Sequence, residues 1–549
     1  MSYPRLLGVL VLTGCLGPVP QAADDGSTSS TETGGGGAPA TTATTTTGSS
    51  PTTSSTGSMS NAGGGGSSPG ELTLGGELHF LQDASVTLES GGDTVELDSN
   101  GAFTFPGKLS AGEAYDVTVS SSPPGQTCWV QNGTGTAQAD VSNIDVRCTT
   151  ILQSQTPSGA TVETTTSTAL VPIPGLDPLV FSNDIDADMV ATLLVPQLTN
   201  NVVFRVALKL DNEIIGEANS QTIWNPIPAV SVPIRAVPAG NHTLTAVWST
   251  SAGTLTMASN KYRSELSLAV LQSLPSFDRV YTTSLASNAG STNIANTQGS
   301  PVSMGFAPLS FNVPTEPQPA LISLMANDMK GDRFISRVSI DNVGFAGSVM
   351  AYDINGSLFR SQAPLGLTTL SPGDHTVTAD WFRFVPANVP ATRGTSGLSS
   401  TLSAILFKLG TQTDVGVLDG NFDFNLGPSY SLVHSSLQTS LDLPKPSKVL
   451  VSFHASNLRV VDQWPASADV DIFVNGVRGP TTHPYNDSDI DWGSQAGSIA
   501  SIVDAPAGPV TIDVRARQAD DSTGPNILQL GNMTITDATR SILSAVVLD

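Results

Sequence analysis

The stretch Pro238-Ala-Gly-Asn-His-Thr-Leu-Thr-Ala-Val-Trp248 recurs as Ser371-Pro-Gly-Asp-His-Thr-Val-Thr-Ala-Asp-Trp381. It recurs again, eroded, as Pro506-Ala-Gly-Pro-Val-Thr-Ile-Asp-Val-Arg-Ala516. The shared glycines Gly240, Gly373 and Gly508 stand 133 and 135 residues apart. Solenoid repeats are far shorter, so a period of this size is that of a whole domain. A chain carrying it must build one fold three times.

The strands around each copy follow one order. The first copy has Met189-Val-Ala-Thr-Leu-Leu-Val195, then Val203 to Leu210, the turn Asp211-Asn212, the Gly240 turn, and a closing Glu265-Leu-Ser-Leu-Ala-Val-Leu271. Counterparts in the second are Leu321 to Met325, Val338 to Ile340 with Asp341-Asn342, and Leu402 to Leu406. In the third they are Val449 to Phe453, Val470 to Val474 with Asn475-Gly476, and Ile542 to Leu548. Alternation with period two dominates and helical spacing is nearly absent, which predicts antiparallel sandwiches. Strand order, the Gly-x-His-Thr turn, the Trp-ended strand and the apolar closing strand together resemble a bacterial and phage jelly roll, related in shape to the tumour-necrosis-factor-like fold. The likeness weakens in the third copy, where Val510 and Ala516 replace His and Trp. Domains of that shape usually trimerise. The three copies (residues 151–274, 275–410 and 411–549) are therefore expected either to close into an intramolecular pseudo-trimer or to form a string of independent beads.

Ahead of the repeats, residues 72–150 carry short alternating runs at Val86-Thr-Leu88, Thr94 to Leu97, Ala102 to Phe105 and Tyr115 to Val119. Asn100-Gly101 reads as a hairpin turn between two of them. Cys128 and Cys148 are expected to pair in an oxidising envelope. These runs and cysteines resemble a small immunoglobulin-like repeat of bacterial secreted proteins, whose implied role is that of a stalk. The expected fold class is thus all-β: one Ig-like sandwich followed by three tandem jelly rolls.

The amino terminus has Arg5, the apolar run Leu6 to Leu12 and then Leu-Thr-Gly-Cys15. This resembles a bacterial lipobox, which implies a signal peptide over residues 1–14 and acylation of Cys15. The run is too short to span a bilayer. Leu16 after the cysteine implies sorting to the outer membrane. Residues 15–71 are dominated by Thr, Ser and Gly, a composition that predicts a disordered tether. Its Gly/Ser-rich part would reach about 35–40 Å.

Lys+Arg 23 against Asp+Glu 47 gives a net charge of −24. Such a surface repels phosphate backbones and argues against nucleic acid as a partner. His242 and His375 occupy equivalent places, and each is expected to bond its own turn rather than a metal. Asp184-Ile-Asp-Ala-Asp188 and Asp487-Ser-Asp-Ile-Asp491 space carboxylates two apart, making Asp184, Asp186, Asp188, Asp487, Asp489 and Asp491 calcium candidates, although Val195 and Ser498 stand where an EF-hand needs an acid. Trp248 and Trp381 are expected in cores; Trp224, Trp464 and Trp492 fall in loops where a ring can stack on sugar. The chain has no Gly-x-Ser-x-Gly elbow, phosphate-cradling loop or paired zinc-ligand histidines. No catalytic residue and no cofactor is therefore assigned. The expectation is a surface lipoprotein, not an enzyme, that binds a surface protein or polysaccharide. A structural envelope or fibre component is the alternative, and an enzyme acting on polysaccharide through paired carboxylates is the third.

Overall fold

The computed structural model describes residues 70–549 apart from residue 83 and the segments 158–161, 197, 200–202, 221–228, 258–260, 286–292, 295–299, 331–333, 351–359, 384–390, 394–397, 462–465, 487–494, 521, 523 and 532–539. Among the described residues there is no α-helix, only strands and one 3-10 turn, Leu271–Ser273.

Each repeat folds into two facing sheets with one strand order. In the first, Ile151–Gln155, Glu265–Val270, Ala187–Leu194 and Val230–Val237 lie side by side. Opposite them lie Leu179–Asn183, Gly240–Thr250, Phe204–Leu210 and Glu213–Ser220. The second repeat places Phe277–Leu285, Ser400–Phe407, Gln318–Lys330 and Leu365–Leu370 against Leu309–Val313, Gly373–Arg383, Phe334–Ile340 and Val343–Met350. The third has Thr413–Asp419, Arg540–Val547, Ser447–Val461 and Gln495–Ala505 against Gln438–Leu443, Gly508–Gln518, Ala466–Val474 and Val477–Thr482. These are jelly-roll sandwiches.

Two turns explain why the repeated sequence takes this form. Gly240, Gly373 and Gly508 have φ of 149°, 130° and 92°, which a side chain would oppose. The pairs Asp211-Asn212, Asp341-Asn342 and Asn475-Gly476 all have positive φ, as tight hairpins of the primed type require. The strands that the Gly turns launch bury alternate residues and carry Trp248 and Trp381 fully into their cores. In the third repeat Ala516 takes that register position, opposite Val470.

The closing strand decides how the repeats meet. Leu266, Leu268 and Val270 face their own core, and a lone sandwich would leave Ser267 and Ala269 in water. Instead Glu265–Val270 is buried on both faces. Ala269 joins a cluster that also holds Leu367 and Ile405 of the second repeat and Val451 and Ala545 of the third. Met325 of the second repeat enters the first repeat's core, and Ile542 of the third enters the second's. Polar bonds cross every seam. Asn219 N–H donates to Ser361 Oγ at 2.8 Å, His454 Nε2 to Gly347 O at 3.0 Å, and Tyr262 O–H to Asp469 Oδ1 at 2.8 Å. Each repeat packs on both others, the arrangement of a pseudo-trimer rather than of beads.

The module at 72–150 differs from expectation at one turn. Asn100-Gly101 does not close a hairpin, because Asp93–Leu97 pairs with Val86–Ser90 while Gly101–Leu109 pairs with Leu72–His79 in another sheet. The Asn100 amide is used instead to accept from Leu81 N–H. The tight turn is Gly91-Gly92, where both glycines have positive φ. The expected Cys128–Cys148 disulfide forms, between neighbouring strands of one sheet, Cys128–Gln131 and Val141–Cys148.

Candidate functional site: a cationic junction cleft

That disulfide sets up a concavity where three modules meet. With Cys128 opposite Cys148, the antiparallel register puts Trp129 opposite Arg147. Both reach the linker between the first two repeats. Trp129 Nε1 donates to Ser273 O at 2.9 Å and Arg147 Nη1 to Gln272 O at 2.9 Å. The linker is bent there by the 3-10 turn, and Gln272 Oε1 accepts from Asp188 N–H. This stretch at the end of the first repeat is thus the hub of three modules.

Around the hub lies a cleft of about 480 Å³. Arg147 comes from the amino-terminal module, Arg235 from the first repeat, and Arg279 and Lys408 from the second. Asp188 and Asp278 also line it. Lys408 Nζ sits 5.0 Å from the Trp129 ring centre, a cation–π contact. Burial, then repulsion from Arg147, lowers the Lys408 pKa from its ordinary value. Arg235 and Arg279 have half-exposed side chains, and their nearest carboxylates stand at 3.9 and 3.6 Å. Arg279 is also hydrogen-bonded by Tyr281 and Asp278, which hold it in the wall and raise its pKa. Tyr281 and Phe277 add aromatic surface to the wall. Asp145 pairs with Arg147 at 2.8 Å, so the four cations face three carboxylates, a small local excess of positive charge on a chain of net charge −24. Chemically the cleft can hold an anion, with a ring beside it.

The residues singled out from sequence fall elsewhere. His242 Nε2 bonds Pro238 O at 2.8 Å and His375 Nε2 bonds Ser371 O at 2.6 Å, each its own turn. The Nδ1 atoms bond Asp211 and Asp341, which sequence spacing does not reveal. Burial works to lower the His375 pKa, yet the Ser371 carbonyl and the Asp341 carboxylate carry it above its ordinary value. In the third repeat Asn475 Oδ1 still accepts from Thr511 N–H, so half of the device survives without a histidine.

Asp184, Asp186 and Asp188 are not brought together. Asp184 bonds His79 Nδ1 at 2.6 Å and Phe80 N–H at 2.9 Å, tying the amino-terminal module to the first repeat. Asp186 and Asp188 accept from the Ala239 and Ala236 N–H groups. Among the described residues no group of acids, histidines and cysteines is arranged to hold a metal ion. Asp487, Asp489, Asp491, Trp224, Trp464, Trp492 and Cys15 lie outside the described residues. The cleft cations escaped sequence reading because they come from four separate stretches. The one available signal was the cysteine pair, which puts Trp129 beside Arg147.

No family model matches the chain, and no curated protein matches it. Among solved structures it is similar to a chain from the triple jelly-roll fold and turret assembly of an archaeal virus, at 9% identity over 72% of this chain and 91% of that one, TM-score 0.16. It is also similar to PNGF-II, at 8% identity over 85% and 98%, TM-score 0.18. A third is a chain of Sulfolobus Turreted Icosahedral Virus, at 11% over 78% and 91%, TM-score 0.15. Scores at this level carry no argument about what this chain does.

Proposed function

We propose that the chain is a binding module of the bacterial cell surface, held by lipid on Cys15 and a Thr/Ser/Gly tether, and that its ligand is an acidic polysaccharide. The observation that supports the ligand class is the junction cleft, where Arg147, Arg235, Arg279 and Lys408 converge beside Trp129. Cations recognise carboxylate or sulfate groups, and an aromatic edge favours a sugar over a bare ion. The reading assigns no catalysis. A second reading, a structural envelope component, draws on the shared apolar cluster that joins all three repeats.

The test uses polygalacturonate, dextran sulfate and neutral dextran against the folded body, by calorimetry. Binding of either charged polymer, absent for dextran and weakened at least about tenfold by Arg235→Glu with Arg279→Glu, is the expected result. Equal affinity in wild type and variant, or no binding at all, overturns the ligand assignment. Anchoring is tested separately by palmitate incorporation, which Cys15→Ala should abolish.

A further inference from the structure

The three seams are built from equivalent strands but are not equally filled. Glu213–Ser220 of the first repeat packs on the Gln318–Lys330 and Arg360–Gln362 strands of the second. Val343–Met350 of the second packs on Ser447–Val461 and Gln495–Ala505 of the third. The counterpart in the third repeat, Val477–Thr482, has 6 residues where the others have 8. Gly479 and Pro480 interrupt it, and Pro480 has no N–H to give a neighbouring strand. Its seam with the first repeat is left with a cleft of about 490 Å³.

Both walls supply charge. On the first repeat, Tyr262 is buried, and its hydroxyl lies 2.8 Å from both Asp469 Oδ1 and His483 Nδ1 of the third. The residues on either side, Lys261 and Arg263, are exposed and line the cleft. Anchoring of Tyr262 therefore holds two cations at the opening. Neither makes an ion pair among the described residues, although the Arg263 charge acts on Glu265. Arg478 faces them from the third repeat and is itself fixed by Asp471.

Each acid of the cleft already has a partner. Glu265 is buried in its wall and accepts from the Ser501 hydroxyl. Burial, the dominant influence, raises its pKa, against the Ser501 hydroxyl bond and the Arg263 charge. Asp504 pairs with Lys448 at 2.7 Å. Gln153 and Gln155 add amide groups. No aromatic face is presented, since the Tyr262 ring lies against His483 with ring centres 4.9 Å apart. This cleft differs from the junction cleft in lacking an aromatic wall.

We propose that the seam between the third and first repeats binds a tetrahedral oxyanion group, a phosphate or sulfate, between Lys261 and Arg263 on one side and Arg478 on the other. Ammonium and guanidinium donors match such oxygens and hold them by charge-assisted bonds. Because the donors belong to two repeats, the bound group clasps the first repeat to the third. The inference stands independently of the polysaccharide reading, which concerns another cleft.

The probes are inorganic phosphate, inorganic sulfate and sodium chloride at matched ionic strength, with the thermal midpoint of the folded body and calorimetric affinity as readouts. Phosphate or sulfate should raise the midpoint saturably, since a ligand bound only to the folded state stabilises it by mass action. Which of the two acts at lower concentration identifies the source chemistry. Lys261→Gln with Arg263→Gln should weaken the affinity at least about tenfold while leaving the unliganded midpoint near wild type, because both side-chain ends are exposed. The Arg235→Glu, Arg279→Glu protein should keep the full phosphate response, which separates this site from the junction cleft. An equal rise with chloride, or an unchanged affinity in the Lys261, Arg263 variant, overturns the proposal.

Discussion

Acid should loosen the protein through His454, and the size of the effect follows from its burial. His454 lies on Ser447–Val461 of the third repeat, fully buried, and donates from Nε2 to Gly347 O of the second at 3.0 Å. Its Nδ1 has no hydrogen-bond partner among the described residues, and its register neighbours are Ser498 and Ile542. No acid is placed to receive a second proton from the ring. Burial accordingly pushes the pKa from 6.5 down to about 4, against the smaller upward pull of the Gly347 carbonyl. The unfolded chain takes up the proton near 6.5 and the folded chain does not, so stability is full above that value and is lost as the pH falls towards 4. Between pH 7 and pH 5 the loss is about 2 kcal/mol, rising to roughly 3 kcal/mol once the folded value is passed. Carboxylates titrate over the same range. Asp471, raised by burial to about 6, acts with the opposite sign and gains stability as acid neutralises it. The decisive quantity is therefore a difference. Urea unfolding of wild type and His454→Gln at pH 7 and pH 5 should show the wild type losing about 2 kcal/mol more than the variant. Parallel pH profiles would refute the argument that this seam keeps a neutral histidine.

Other outcomes are open to measurement. His375 has a folded pKa above its ordinary value, so its contribution is present below about 6.5 and fades as the pH rises through the folded value; a proton titration by NMR should show the upward shift, and Asp341→Asn should reduce it. Replacing Cys128 and Cys148 by serine opens a loop closed over a separation of 20 residues, with an expected cost of about 3 kcal/mol in urea unfolding and weaker binding at the junction cleft. Trp381→Ala empties a fully buried site and should cost about 3–5 kcal/mol, whereas Ala516→Trp, at the register position the third repeat fills with alanine, should also destabilise by overpacking. Unfolding midpoints of these two variants would move in the same direction.

The repeated architecture was legible because it is written in short-range terms. Gly240, Gly373 and Gly508 mark backbone conformations that only glycine takes without strain, and Asp341-Asn342 and Asn475-Gly476 mark hairpins. Alternation along Gly373–Arg383 states which side chains turn inward. Such signals act over two to ten residues, and the chain carries them wherever the strand lies. Even so, the same chemistry misled at Asn100-Gly101, since a turn residue specifies a bend and not which strand comes alongside.

The tertiary structure alone decided how the repeats meet and where charge collects. Tyr262 reaches Asp469 across 207 positions and Ser276 reaches Leu548 across 272. Neither contact has any local signature. The serines of the closing strands, Ser267, Ser403 and Ser544, read as the wet face of a sandwich until a neighbouring repeat covers them. Apart from Lys261 and Arg263, which flank Tyr262, the cations of both clefts are scattered singly along an acidic sequence, and folding brings them together. Local sequence determines conformation through sterics and periodicity, while seams and clefts arise from long-range packing of surfaces that the chain specifies separately.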